Sequence, residues 1–209
     1  MKDILITNIS QLVTLKGKRR PRTGKELSEI NIVKDASVFI HNGIIKSYGS
    51  YKDVVKDVRK KGLFVIDARK RVVMPSFVDC HTHSLFAEPR LYDFELRTQG
   101  YSYSEIKKMG GGINSSAKSI RLSSKDELVL RLVKNIDRFV ECGTSVIEVK
   151  SGYGLDFENE IKMLEVIKLT SSKTKAVLIP TFLGAHSIPS GFTSKSYLDF
   201  LKKNLVPYI

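Results

Sequence analysis

From residue 76 onward, short apolar runs alternate with longer amphipathic stretches, and that alternation constrains the fold more than any other feature of the chain. The runs 77–83, 144–150 and 176–183 are too short for helices and rich in β-branched residues, so they are predicted strands. The stretches 103–109, 125–141, 158–171 and 194–205 carry apolar residues at helical spacing. Strands separated by such helices form βαβ units on a parallel sheet. Polar or glycine-bearing turns follow the later strands, Ser151-Gly152-Tyr153-Gly154 and Gly184-Ala185-His186-Ser187. Chemistry at the C-terminal ends of successive parallel strands is the arrangement of a (β/α) barrel. The spacing supplies about three units, whereas a closed barrel takes eight and typically ~250 residues. The expected fold is therefore α/β, with a partial TIM-like barrel over residues 76–209.

The first 75 residues have a different texture. Ile4-Leu5-Ile6-Thr7 and Leu12-Val13-Thr14-Leu15 are β-rich, as are 36–40, 64–68 and 71–74. Asn42-Gly43 between two apolar runs is a strong hairpin signal. Residues 1–75 are predicted to form a small antiparallel β-sandwich.

The segment Asp79-Cys80-His81-Thr82-His83-Ser84-Leu85 closes the first strand of the second portion. If the strand runs through it, period-two alternation sends Asp79, His81 and His83 to one face and Cys80 to the other. Two imidazoles converging at a strand end suit a divalent metal, with Asp79 close enough to orient a ligand. A bare His-x-His on a surface strand is mostly coincidence; the buried-looking strand before this one favours the metal reading. Cys80, facing away, is expected to be a small buried hydrophobe.

The formal net charge of +13 and the segment Lys16-Gly17-Lys18-Arg19-Arg20-Pro21-Arg22 raise the question of nucleic acid. That segment has no interleaved aromatics for base stacking and contains Gly and Pro as a loop would, so no nucleic-acid partner is expected. A basic cleft for an anionic small molecule fits the same charge. No apolar stretch reaches a membrane span, and the start of the chain lacks the apolar core of a signal peptide. With only Cys80 and Cys142 present, a disulfide scaffold is excluded and a cytoplasmic, reducing location is expected.

The run Asp67-Ala68-Arg69-Lys70-Arg71-Val72-Val73-Met74-Pro75-Ser76-Phe77-Val78-Asp79-Cys80-His81-Thr82-His83 resembles the start of the metal-dependent amidohydrolase barrel. Phe94-Glu95-Leu96-Arg97-Thr98-Gln99-Gly100 through Gly110-Gly111-Gly112-Ile113, then Glu148-Val149-Lys150-Ser151-Gly152-Tyr153-Gly154-Leu155, then Thr181-Phe182-Leu183-Gly184-Ala185-His186 are similar, in order and spacing, to the imidazolonepropionase family of histidine degradation. The resemblance covers essentially the whole chain but only the N-terminal half of that family's enzymes. It implies a hydrolase opening the ring of 4-imidazolone-5-propanoate to N-formimidoyl-L-glutamate through metal-activated water. It also implies one zinc or iron ion, with His81 and His83 as its first two ligands. Arg90 matches the arginine that holds the substrate's propionate, and Tyr153 and His186 match residues contacting the ring and its opened product. The family's further ligands, a histidine and an aspartate, and its glutamate proposed as proton shuttle fall beyond residue 209, so the catalytic residues proper stay unassigned. Ser76, Ser84 and Ala87-Glu88-Pro89 depart from the family's usual residues.

The chain alone is accordingly expected to lack activity and to need a complementing C-terminal polypeptide, with a homodimer as a further possibility. The competing readings are an inactive truncated fragment and another amidohydrolase such as a dihydroorotase or guanine deaminase. Glu148 and Lys150 alternate with Ile147 and Val149, so both should point into the barrel, with Lys150 structural and paired with Glu148 or another acid. Gly110-Gly111-Gly112 lacks the Lys-Ser/Thr of a P-loop and is expected to be a flexible or helix-starting segment.

Overall fold

The computed structural model describes residues 3–58 and 62–209. The chain divides into two compact units, Met1–Pro75 and Ser76–Ile209.

In the first unit, β1 (Asp3–Val13) is followed by β2 (Ile32–His41), β3 (Ile44–Gly49), the single helical turn α1 (Tyr51–Val54), β4 (Leu63–Asp67) and β5 (Val72–Val73). The strands form one sheet in the order β3-β2-β1-β4, with β5 also paired to β1. Asn42 and Gly43 have φ of 50° and 80°, the positive values of a type I′ turn, and so join β2 to β3 as a tight hairpin.

The expected all-antiparallel pairing is corrected here: the described strands make a single mixed sheet in which β4 and β5 run parallel to β1. The two strands predicted at 4–7 and 12–15 are one strand, carried through a register shift between Ile6 and Ile9 where Asn8 takes φ 53°. One long bulged strand offers two successive edges. β4 pairs in parallel with its first half and β5 with its second. Both sheet faces bury apolar side chains: Leu5 and Phe39 pack on Val54 of α1, and Ile9, Leu12, Ala36 and Val38 pack with Ala68 on the other side. Phe64, Val65 and Ile66 of β4 stay exposed. In the basic loop, Arg20 pairs with Glu26 and Arg22 donates to backbone carbonyls of Leu15 and Glu29, which uses both guanidinium groups internally.

The second unit contains β6 (Phe77–Asp79), α2 (Leu91–Thr98), α3 (Tyr103–Lys108), α4 (Ile113–Leu122), α5 (Lys125–Glu141), β7 (Thr144–Lys150), α6 (Phe157–Ser171), β8 (Val177–Thr181) and α7 (Ser194–Phe200). β6, β7 and β8 form a parallel sheet in that order. α5 starts with a capping box in which Ser124 and Glu127 satisfy each other's backbone N–H groups. Leu128, Leu132 and Ile136 recur every fourth residue along it and are fully buried. They pack with Met163, Val166 and Ile167 of α6 against Ile147 and Val149 of β7. Each such side chain contributes roughly 1.5–3 kcal/mol by leaving water, so this helix-covered face is the unit's main source of cohesion. The opposite face of the sheet is polar at Glu148 and Lys150 and exposes Val177 and Ile179. No helix among the described residues is long and apolar enough to cross a membrane.

Candidate active site

The histidine pair does not lie on a strand. β6 ends at Asp79, and residues 80–86 form a loop along β7, which corrects the predicted strand 77–83 and its alternation. Side chains replace the ladder there. The Thr82 N–H donates to Glu148 Oε2 at 3.1 Å, and its hydroxyl donates to the Glu148 carbonyl at 2.6 Å. Lys150 N–H donates back to the Thr82 carbonyl at 3.2 Å. From α5, Asn135 holds the Ser84 carbonyl at 2.9 Å. Thr82 is thereby buried, while its neighbours His81 and His83 are exposed and half-buried, with ring centroids 5.9 Å apart. Cys80 is exposed, so the expectation of a buried small hydrophobe fails, because the strand that would have covered it ends one residue earlier.

His83 is the centre of the cluster. Its ring stacks on His186 at 4.8 Å between centroids and lies 5.4 Å from Tyr153, which in turn is 5.7 Å from His186. Arg90, at the start of α2, lines with His83 and Tyr153 a cleft of about 320 Å³. All five sequence-predicted site residues, His81, His83, Arg90, Tyr153 and His186, therefore fall in one region of the second unit. Arg90 lies 3.8 Å from Asp93, whose buried carboxylate also accepts the Gly112 N–H at 2.9 Å. That bond explains the glycine run: Gly112 starts α4 at φ 75°, and a side chain on Gly111 would sit 2.4 Å from the Asp93 carboxylate.

Burial, and then the neighbouring His186, His81 and Lys150, hold the His83 imidazole below the usual histidine range and so neutral. The His186 ring is likewise lowered, by partial desolvation against its aromatic neighbours, although the residue as a whole is exposed. Burial pushes the Tyr153 hydroxyl up, against the nearby Arg90 charge. Burial would also raise Glu148, but Lys150, Thr181 and the Thr82 N–H together bring it below the usual carboxylate range.

Neutral imidazoles are what a metal requires of its histidine ligands. Among the described residues the buried Nδ1 of His83 has no hydrogen-bond partner, which leaves it open to an ion. The pair fits half of a metal site. Among the described residues no three His, Cys, Asp or Glu side chains converge into a metal-binding group.

Sequence reasoning missed Glu160, whose fully buried carboxylate accepts the N–H groups of Gly152 at 3.0 Å, Gly154 at 2.7 Å and Leu155 at 3.0 Å. An acid in the first turn of a helix directly after a Gly-x-Gly turn was the available signal. Ser151 joins the two later turns: its N–H donates to the Thr181 carbonyl and its hydroxyl accepts the Leu183 N–H, both at 2.9 Å.

No protein-family model matches the chain. Imidazolonepropionase of Clostridium tetani is 35% identical over 209 residues, which is 99% of this chain and 50% of that protein. Imidazolonepropionase of Bdellovibrio bacteriovorus is 41% identical over 211 residues, covering 99% and 49%. A probable imidazolonepropionase of Dictyostelium discoideum is 36% identical over 205 residues, covering 97% and 48%. Among solved structures, guanine deaminase of Bradyrhizobium japonicum superposes with a TM-score of 0.59 at 15% identity, covering 97% of this chain and 41% of that one. Guanine deaminase of E. coli gives 0.56 at 13%, covering 96% and 42%. A metal-dependent hydrolase of Pyrococcus furiosus gives 0.53 at 11%, covering 86% and 50%. At such identities the structures speak for the fold alone. In sequence, the chain is related from end to end to imidazolonepropionases and spans about half the length of the curated relatives it matches.

Proposed function

We propose that this chain supplies the substrate-binding and first metal-binding half of an imidazolonepropionase, which hydrolyses 4-imidazolone-5-propanoate to N-formimidoyl-L-glutamate. The observation that carries the reading is the convergence of His83, Tyr153 and His186 within 6 Å of one another, beside Arg90 and His81, in a chain related end to end to that family. In this reading the parallel sheet is the first part of a TIM-like barrel of the amidohydrolase type, and the N-terminal sheet is one layer of a small β-sandwich.

His81 and His83 would hold one zinc or iron ion. Bound there, the ion would supply water activated near neutral pH for attack on the ring carbonyl. Arg90 presents a guanidinium fork to the propionate, which fixes the ring's distance from the histidine pair. Tyr153, kept protonated by burial, offers a hydroxyl donor to the ring, and neutral His186 offers a donor or acceptor nitrogen. Glu148 and Lys150 neutralise each other and hold Thr82, which orients the histidines on either side. The exposed β4 edge and the exposed face of β8 are the surfaces for a complementing polypeptide, or for a second copy of the chain. The two free cysteines accord with a cytoplasmic setting.

The test is co-expression of this chain with a polypeptide carrying the second half of a relative, followed by assay of imidazolone propionate consumption. Restored turnover supports the reading. Arg90→Lys, which keeps the charge and loses the fork, should then raise KM by about tenfold or more, the equivalent of roughly 1.5–3 kcal/mol for charge-assisted bonds. A soluble complex with bound metal and no turnover overturns it.

A further inference from the structure

We propose that Glu160 is a positioning residue that sets the place of Tyr153, and through it the geometry of the histidine cluster. Glu160 lies outside the cleft that holds Arg90 and Tyr153, and its side chain is fully buried. What it does is gather a turn. Three backbone N–H groups drawn from four consecutive residues point inward at its two carboxylate oxygens, with Gly154 and Leu155 sharing Oε1 and Gly152 taking Oε2. Without an acceptor those three buried donors would be orphaned.

The turn's conformation is one the sequence would not adopt unaided. Gly152 has φ 103° and Leu155 has φ 60°, the second a left-handed value on a residue that pays for it in steric strain. A side chain on Gly154 would lie 2.3 Å from the Glu160 backbone nitrogen, so turn and helix are in direct contact. Arg121 braces the outside, donating to the Gly154 carbonyl at 3.2 Å. Tyr153 sits between the residues so held, which fixes its backbone where its ring lies 5.4 Å from His83 and 5.7 Å from His186. Ser151 and the contact of Gly152 with Leu183 carry the constraint into the His186 turn: a methyl on Gly152 would meet the Leu183 carbonyl oxygen at 2.7 Å and His186 Cβ at 3.0 Å.

Glutamine is nearly the same size as glutamate but turns one acceptor into a donor. In either amide orientation its NH₂ faces at least one N–H of the turn, so one or two of the three bonds are lost. Aspartate is one methylene too short to reach all three donors.

The experiment measures the 209-residue chain and its Glu160→Gln variant by amide hydrogen exchange and by the ring-proton NMR signals of the histidines. The expected result is exchange about tenfold or more faster at Gly152, Gly154 and Leu155, with the β7 amides of Ile147 and Val149 within about twofold of the unsubstituted chain. The His83 and His186 ring signals should shift, because the Tyr153 ring current moves. Unchanged exchange at the three turn amides, or unchanged ring signals, in a folded variant overturns the proposal. If the variant does not fold, the unsubstituted chain decides: protection of the three turn amides comparable to Ile147 supports it, and free exchange overturns it. A last arm rests on the proposed hydrolase reading. In the complemented enzyme, Glu160→Gln should lower kcat/KM while leaving metal content unchanged, and unchanged kcat/KM overturns the positioning role. An absence of turnover from the unsubstituted complex would instead count against the hydrolase reading and leave the exchange and NMR outcomes to decide on Glu160.

Discussion

Breaking the Glu148–Lys150 pair should cost far more than either residue's own contacts suggest, and removing both should recover most of that cost. The side chains are only 14% and 10% exposed, and the ammonium of Lys150 hydrogen-bonds Glu148 Oε1. Lys150→Met strands a largely buried carboxylate, and stranding a fully buried one typically costs about 3–5 kcal/mol. Here the Thr82 N–H and the Thr181 hydroxyl still solvate Glu148, which places the expected loss near the lower end, ~3 kcal/mol. Glu148→Gln strands the ammonium at similar cost. The double variant has no buried charge, keeps a side-chain acceptor for Thr82, and should lose only ~1–2 kcal/mol. Urea unfolding of the four proteins, followed by circular dichroism, gives the cycle. The expected coupling is on the order of 4 kcal/mol, well beyond the ~0.5 kcal/mol within which independent sites add. Additive single effects, or single effects below about 1 kcal/mol, would refute the view that the pair is desolvated and mutually dependent.

Zinc titration of the chain should show weak uptake through His81 and His83, abolished in the His81→Ala/His83→Ala variant; tight binding that survives the double substitution would exclude these residues as ligands. Gly152→Ala places a methyl against the Leu183 carbonyl at a positive φ and should cost at least ~1–2 kcal/mol, with loss of the His83–His186 ring contact in NOE spectra. Tyr197, whose hydroxyl donates to the Gly184 carbonyl at 2.9 Å, is pushed up to about 12 by burial and then by Glu160 and Asp156. An unfolded tyrosine titrates near ~10, so the stability this group contributes is complete below that pH and is lost as pH rises from there through about 12. Tyr197→Phe should cost ~1–2 kcal/mol at neutral pH and flatten the alkaline limb of a stability profile; an unchanged alkaline limb would show that Tyr197 does not hold the His186 turn.

Strand 144–150 and helix 125–141 were legible to the residue because their signals are local: alternation between apolar and polar positions in one, a capping box and an unbroken apolar stripe in the other. Helix α2 is not legible in the sequence, and α4 only as a helix-starting segment at Gly110-Gly111-Gly112, because neither carries a side-chain cap of its own. α2 begins at Arg90 without a side-chain cap, and α4 begins at a glycine whose N–H is held by Asp93, 19 residues away. The overextended strand at 77–83 has the same origin. Its period-two alternation can be carried past Asp79 through His81 and His83, but the Thr82 N–H that would extend the ladder is taken by the Glu148 side chain, 66 residues distant. The site divides along the same line. Residues that face the cleft were visible by type and by resemblance, whereas Thr82, Asp93 and Glu160 act by satisfying backbone groups brought near only by the fold.

The two faces of β7 bear on how this chain tolerates change. Ile147 and Val149 are locked among helix side chains, while Glu148 and Lys150 bond each other and reach Thr181 and the loop beside the histidines. Odd and even positions of one short strand thus answer to different selective demands. In a saturation library, substitutions at 147 and 149 should sort by volume and be lost first on heating. Those at 148 and 150 should sort by charge balance, so that paired exchanges survive where single ones fail. Inserting or deleting one residue in this strand would exchange the two sets, putting charge into the helix layer and isoleucine beside the histidines, and no compensating substitution at a single position would repair it.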